Sequence, residues 1–491
     1  MSKSDNLGDF LTSVANALRT KLGSHAPIHP QDFDTCILAL EGGDNVVGVG
    51  GIEEGFNVTF SVEGEDYALF SVQSGGSVPR PTNPSRTGYH FTGWYTAAAG
   101  GTRITFPYTP SANVTLYAGW SDQVTTVGFT GLTRSDGVLT WTDDIASCTG
   151  YTTTTVDFNV NVQNDLDDYF PFSEIAEMTD ADGNTFVKFP KIWVNWITDA
   201  SGYIDGIRIS NVRIDEYSFI PDCFLDPKNT TCTTYLDYFA LGKYEASGSI
   251  SKMYSKSGQT CLLAITRADS RSAARAYGVE GNYYNGYQLE DFSMLAVYNF
   301  LCMMYYKTSN IQTVYGGRTG SGTHTGWNYY EPTGSCDDIP GLNGWNKVTD
   351  CVKMLGIENP YGHCGKWIDG VFFDKAQIFA HRLPQYYSDS TTNSVLLDFT
   401  RVLITSRYIQ FLKKGGSLTT RSYVYANVAS GTSSAEYTGD ISSNTESGTV
   451  LFAGGSNTGG DYAGLWALYG RLTESGTYGY VGARLAYRPV N

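Results

Sequence analysis

The stretch from Gly448 to Asn491, GTVLFAGGSNTGGDYAGLWALYGRLTESGTYGYVGARLAYRPVN, decides how this chain is read. Small and apolar residues form a framework: Gly454-Gly455, Ala463-Gly464-Leu465 and Val481-Gly482-Ala483-Arg484-Leu485. Between them lie Ser456, Asn457, Thr458, Asp461, Tyr462, Trp466, Leu468, Tyr469, Arg471, Thr477, Tyr478 and Tyr480. Tyr and Trp supply large contact area at low entropic cost, and Ser, Asn and Gly supply adaptable hydrogen bonds. That mixture suits a binding surface, whereas a buried C-terminal strand has no need of it. Glycine and alanine let strands and turns approach closely. Arg484 reads as a buried structural arginine that holds backbone carbonyls or a carboxylate. Val481, Leu485 and Tyr487 suit a central strand. Trp466 stands open between core and the floor of a binding site.

The composition points the same way. The 491 residues suggest roughly three to four domains. Hydrophobic residues make up 41%, enough for a core, but charged residues only 17%, and there are 35 tyrosines. Low charge with abundant Thr, Tyr and Gly favours short strands, turns and wet surfaces. A net charge of -16 argues against nucleic acid as a partner, because phosphate contacts need clustered Lys and Arg. There is no apolar run of about eighteen residues, so no membrane insertion is expected. MSKSDNLGDF shows no apolar h-region of a signal peptide. The nine cysteines (Cys36, Cys148, Cys223, Cys232, Cys261, Cys302, Cys336, Cys351, Cys364) form no CxxC pair. Their odd number, without a signal peptide, predicts free buried thiols rather than a disulfide framework, in a protein made in a reducing cytoplasm.

Along the chain, residues 1–43 read as helical. Leu7, Leu11, Val14, Leu18 and Leu22 make one apolar stripe, and Pro30 opens a second short helix. This segment is predicted to dock or oligomerise, and it resembles N-terminal modules of phage tail and fibre proteins. Residues 44–55 are a glycine-rich linker. Residues 56–120 alternate as short strands do, in NVTFSV and NVTLYAGW. Residues 121–150 suggest a connecting β segment with Trp141. Residues 151–491 read as one large α+β domain. FVKFPKIWVNWI (186–197) and YIDGIRISNVRI (203–214) are predicted strands, followed by YFALGKYEAS (238–247). A helix is predicted over 284–309, with Leu289, Phe292, Leu295, Ala296, Asn299 and Met303 on one face. The expected fold class is therefore α+β and multidomain.

Two family resemblances sharpen this. Gly88, Tyr89, Phe91, Gly93, Trp94, Tyr95, Leu116, Tyr117, Ala118 and Trp120 carry a resemblance to the bacterial surface repeat of the internalin B type. It implies a small β-grasp spacer with Trp94 and Trp120 in its core. In the head, LGKYEAS, GYQLEDFSMLAVYNFLCMMYY, LGIENPYGHCGKWIDGV and VGARLAYRP resemble the C-type-lectin-like fold of the formylglycine-generating-enzyme superfamily. More narrowly, Gly454-Gly455, Gly460, Ala463 to Trp466, Ser475 and Gly482 to Leu485 resemble variable proteins of diversity-generating retroelements. That resemblance implies that residues of about 450–485 are diversified by adenine-directed mutagenesis while the framework stays fixed.

The chemistry of catalysis is not legible. The superfamily's reactive cysteine pair is not recognisable, and no GxSxG, HExxH or P-loop occurs. Asp165, Asp167 and Asp168, and the pair Asp337-Asp338, read as solvated loops. His363 in NPYGHCGKW reads as a satisfied core or loop residue. No enzymatic activity, cofactor or metal is therefore expected. The expected function is receptor binding at the tip of a phage or prophage tail fibre. Its partner is a bacterial surface receptor, protein or glycan, with the N-terminus joined to tail components and the chain a homotrimer in the virion tail. The alternative is a bacterial cell-surface adhesin or lectin. A formylglycine-type oxidase or a polysaccharide depolymerase ranks behind both.

Overall fold

The structure is a computed structural model. It describes residues 55–489 apart from 82, 85, 87–88, 122–124, 149–163, 279–285, 318–329, 340, 347–348, 404–406 and 430–436. The helices expected over 1–43, and all of the linker but Gly55, lie outside the described residues. Strands dominate what is described, and only two α-helices occur among those residues: α1, Arg267–Ala274, and α2, Phe292–Tyr306. The expected α+β class is thereby corrected to all-β and multidomain. The abundance of Thr, Tyr and Gly outweighs the single long stretch of helical period. Among the described residues no helix is long and apolar enough to cross a membrane.

The chain divides into two compact units, the smaller built from residues before Val124 with Asp167–Tyr169. Four strands make its sheet: β1 (Gly55–Val62), β2 (Glu65–Gln73), β3 (His90–Tyr95) and β4 (Val114–Ser121), in the order β2-β1-β4-β3. The β1–β2 hairpin turns at Glu63 and Gly64, whose φ angles of 53° and 94° are both left-handed. Two such residues match the right-handed twist of a hairpin, and glycine takes the second position without strain. β1 then pairs parallel to β4. Alternation sends Val58 and Phe60 inward to meet Phe70, Phe91, Trp94 and Leu116. Phe60 and Phe91 stand edge-on to Trp94, at 4.7 and 5.4 Å between centroids. Trp94 is in the core as expected, and Trp120 packs half-buried against it.

The larger unit is organised around α2. Asp291 caps that helix, its carboxylate accepting the backbone N–H groups of Ser293 and Met294 at 2.9 Å each. All fifteen residues of α2 are buried, not one face alone. Three sheets surround it. Tyr298 meets Phe189 of a five-stranded sheet, centroids 5.8 Å apart. Phe300 lies 5.0 Å from Trp196 of a four-stranded sheet. On another side it meets Trp466 of a six-stranded sheet, edge-on at 5.3 Å. A helix apolar all round is a buried helix.

The run 186–197, expected as one strand, is two. Thr185–Pro190 joins the five-stranded sheet and Trp193–Thr198 the four-stranded one. Pro190 lacks the donor needed to continue a ladder, so the chain changes sheets there. Thr126–Thr130 and Thr140–Asp143, from the expected connector, complete that four-stranded sheet beside Ile204–Ser210. They are structurally part of the larger unit. Cys336 and Cys351 form a disulfide, Cα atoms 6.0 Å apart, which corrects the reading of all cysteines as free. Cys223, Cys261, Cys302 and Cys364 are buried free thiols.

Helix α1 is fixed by charge. Arg271 forms a fork onto Asp369 at 2.7 and 2.8 Å, and Arg267 and Arg271 share Asp389. Burial alone would raise the Asp369 carboxyl, but Arg271 and then Arg267 hold it at about 2. Because the folded value lies below the unfolded value of about 3.9, the stabilisation is present above about pH 4 and is lost as pH falls towards 2. Acid should therefore remove about 2 kcal/mol through this group. In urea titrations between pH 6 and pH 2, Asp369→Asn should start less stable and lose less on acidification than the native chain. Equal losses would contradict this role.

Candidate ligand-binding surface

The surface grows out of the two strands Val450–Gly454 and Gly464–Leu472, which pair antiparallel with Phe452 opposite Tyr469. The connection between them must fold tightly. At Gly455, φ is 68° and a Cβ would lie 2.2 Å from the Tyr462 carbonyl oxygen, so only glycine fits. At Gly464 a Cβ would meet Asp440 at 1.8 Å, and Asp440 accepts the Trp466 N–H at 2.7 Å. The glycine framework thus lets a carboxylate seal the base of the loop.

This loop and its strands enclose a cavity of about 310 Å³. Ser456, Thr458, Tyr462, Tyr469, Arg471 and Tyr480 line it, with Phe452, Gly455 and Gly459. Tyr469 stacks on Phe452 at 4.6 Å with 12° between the planes. Its hydroxyl donates to the Tyr462 carbonyl oxygen, and burial pushes its pKa well up. The Arg471 guanidinium lies 5.6 Å from the Tyr469 ring, in cation–π range. Tyr462 is 41% exposed, and Tyr480 is half-buried beside Phe452 and Tyr478. The Thr458 hydroxyl is buried without a hydrogen-bond partner among the described residues. The lining can stack on a flat face, pair with an anion through Arg471, and exchange hydrogen bonds.

The other sequence-predicted residues lie elsewhere. Trp466 and Leu468 are core, 1% and 0% exposed. The indole Nε1 of Trp466 lies 3.4 Å from Met303 Sδ of α2. Along a strand, side chains alternate, so Trp466 and Leu468 share the face toward α2 while Tyr469 and Arg471 share the other. That period of two was available in the sequence. Asn457 is also buried, its N–H donating to the His363 carbonyl at 3.1 Å. Thr477 is exposed and Tyr478 half-buried, both outside the cavity lining. Asp461 lies in the turn Gly460–Tyr462. Phe452, the aromatic floor, was not singled out by the sequence, since within VLFAG it reads as an ordinary core residue.

Arg484 does what its place in the framework implied. Buried, it donates to the carbonyls of Gly242 and Lys243 at 2.8 and 3.1 Å, and of Glu358 and Asn359 at 2.8 and 3.1 Å. It ties the C-terminal segment to the ends of two distant strands, Tyr238–Gly242 and Ile357–Glu358. Cys336, Cys351 and Glu358 also converge, but the two sulfurs are bonded to each other and offer no thiolate.

With this geometry in hand, similarity to known proteins is informative for one segment. Residues 56–119 match the family model of the Listeria-Bacteroides repeat domain. Internalin H of Listeria monocytogenes is 35% identical over 91 residues, which are 18% of this chain and 16% of internalin H. Residues 56–119 thus fit an internalin-like repeat, and the match spans about a sixth of that relative's length. Among solved structures, Major Tropism Determinant U1 Variant aligns over 82% of this chain and 83% of its own. Its TM-score is 0.23 and its sequence identity 13%, too low to carry an argument about fold or function.

Proposed function

We propose that this chain is a receptor-binding protein whose larger unit engages a bacterial surface receptor through the cavity at Ser456, Thr458, Tyr462, Tyr469, Arg471 and Tyr480. The observation that carries this reading is the convergence of those six residues, separate in sequence, on one aromatic-floored cavity. Rigid tyrosines around an arginine, on a framework whose glycines admit no other residue, suit a surface where side chains vary and the backbone does not. Placement at the tip of a phage tail fibre, diversification of the 450–485 segment, a lectin-like head and a homotrimer belong to the same proposal. In that setting weak single contacts are strengthened by multivalency.

A bacterial adhesin is the second reading, and the internalin-like repeat over 56–119 favours it. Fluorescently labelled full-length chain, titrated onto a panel of bacterial strains, tests the common core of both. Saturable binding to some strains and not others is expected, with competition by unlabelled chain. Uniform, non-competable adherence to every strain would overturn receptor recognition. Tail-assembly genes beside the coding sequence separate the phage reading from the adhesin reading.

A further inference from the structure

We propose that Cys261, His363 and Glu245 form a binding site for a single zinc-class divalent cation in the interior of the larger unit. Their ligand atoms all lie within 4.8 Å of one another, and the three residues are 7%, 1% and 1% exposed. Cys261 Sγ is 3.7 Å from Glu245 Oε2 and 3.9 Å from His363 Nδ1, and that same Nδ1 contacts the same carboxylate oxygen. A tetrahedral ion with bonds of about 2.0 Å to nitrogen and 2.3 Å to sulfur places such ligands about 3.6 Å apart. The two sulfur distances meet that figure within a few tenths of an ångström, while His363 Nδ1 and Glu245 Oε2 are hydrogen-bonded directly and must part for an ion to enter between them. The Cys364 thiol stays outside this group and donates to the other oxygen of Glu245 at 3.1 Å.

The alternative use of a cysteine, a histidine and a carboxylate is a nucleophilic relay, and the geometry rules against it. A relay needs the thiol at one ring nitrogen and the carboxylate at the other. Here both address Nδ1, while Nε2 is buried with no partner among the described residues. Three different ligand types meeting at one point instead describe a coordination centre. Thiolate, imidazole and carboxylate together suit zinc or its spectroscopic surrogate cobalt rather than calcium or magnesium.

The site is well braced. Ala246 and Leu262, next to two of the ligands, hydrogen-bond each other at 2.7 Å, and Ala246 also donates to Ala483 at 2.9 Å. Gly362 donates to Gly454, and the carbonyl of His363 receives Asn457, so an ion here would brace the surface loop from beneath. Sequence spacing concealed it, since the ligands come from positions 245, 261 and 363.

The test uses the full-length chain, stripped with chelator, incubated with Zn²⁺ or Co²⁺ and desalted. One equivalent of metal should remain, and the cobalt form should show a sulfur-to-cobalt charge-transfer band. Cys261→Ser should lose that band, and Cys232→Ser, at a half-buried thiol outside the cluster, should keep it. If Cys261→Ser fails to fold, X-ray absorption of the zinc-loaded native chain decides, with sulfur together with nitrogen and oxygen expected in the first shell. No retained metal, a band that persists in folded Cys261→Ser, or a first shell without sulfur would overturn the site. None of these outcomes depends on what the surface cavity binds.

Discussion

Arg488→Met is expected to lower the stability of the larger unit by about 3–5 kcal/mol, read as a fall in the urea midpoint followed by near-ultraviolet circular dichroism. Arg488 is fully buried and forms an ion pair with Asp291, which is 1% exposed. It also donates to the carbonyls of Asp222 at 3.0 Å and Leu225 at 3.4 Å and to the Tyr387 hydroxyl at 3.0 Å. Asp291 at the same time accepts two N–H groups at the start of α2 and the hydroxyl of Tyr387 at 2.9 Å. Removing the arginine leaves a buried carboxylate without its countercharge, the costly way to break such a pair. Replacing both partners, as in Asp291→Asn with Arg488→Met, should recover part of the loss, because no bare charge remains. If the double variant is as unstable as the sum of the two single variants, the coupling between them is absent and the ion pair is not what anchors the helix.

The contrast between Arg484 and Arg488 shows what the sequence could and could not reveal. Arg484 sits in a run of small residues, where a large cation has only backbone to meet, so its structural role was readable. Arg488 stands four residues on, before a proline, and looks like a surface residue; its partner Asp291 lies 197 positions away. Strands of alternating pattern were legible where one face is wet, as in NVTFSV. The burial of α2 on all sides was not, because its surroundings are assembled from three sheets whose strands come from distant parts of the chain. The cavity was legible as a composition, but its floor at Phe452 and the inward turn of Trp466 and Leu468 required strand pairing. The Cys336–Cys351 bond and the Glu245–Cys261–His363 cluster are likewise products of topology that no local spacing announces.

That same division of faces gives the second large prediction. Treating the tyrosines of the surface as one group would confuse two effects. Tyr469→Ala should cost about 3–5 kcal/mol of stability, because it removes a buried ring stacked on Phe452 and opens a hole beneath the loop. Tyr469→Phe retains the stack and loses only the hydrogen bond to the Tyr462 carbonyl, a change of about 1 kcal/mol. Tyr462→Ala and Arg471→Ala remove exposed side chains and should alter stability by no more than about 0.5 kcal/mol each. Their effect falls on recognition instead. An aromatic and an arginine at the mouth of a cavity are the residue types that dominate interfaces, so the double variant should weaken cell binding by at least about 30-fold. Binding isotherms on a susceptible strain, paired with thermal melts of the same samples, separate the two outcomes. If Tyr462→Ala with Arg471→Ala binds as the native chain does and melts at the same temperature, the cavity is not the receptor site. If instead it unfolds, the residues at the cavity mouth are structural, and recognition must be sought on another face of the larger unit.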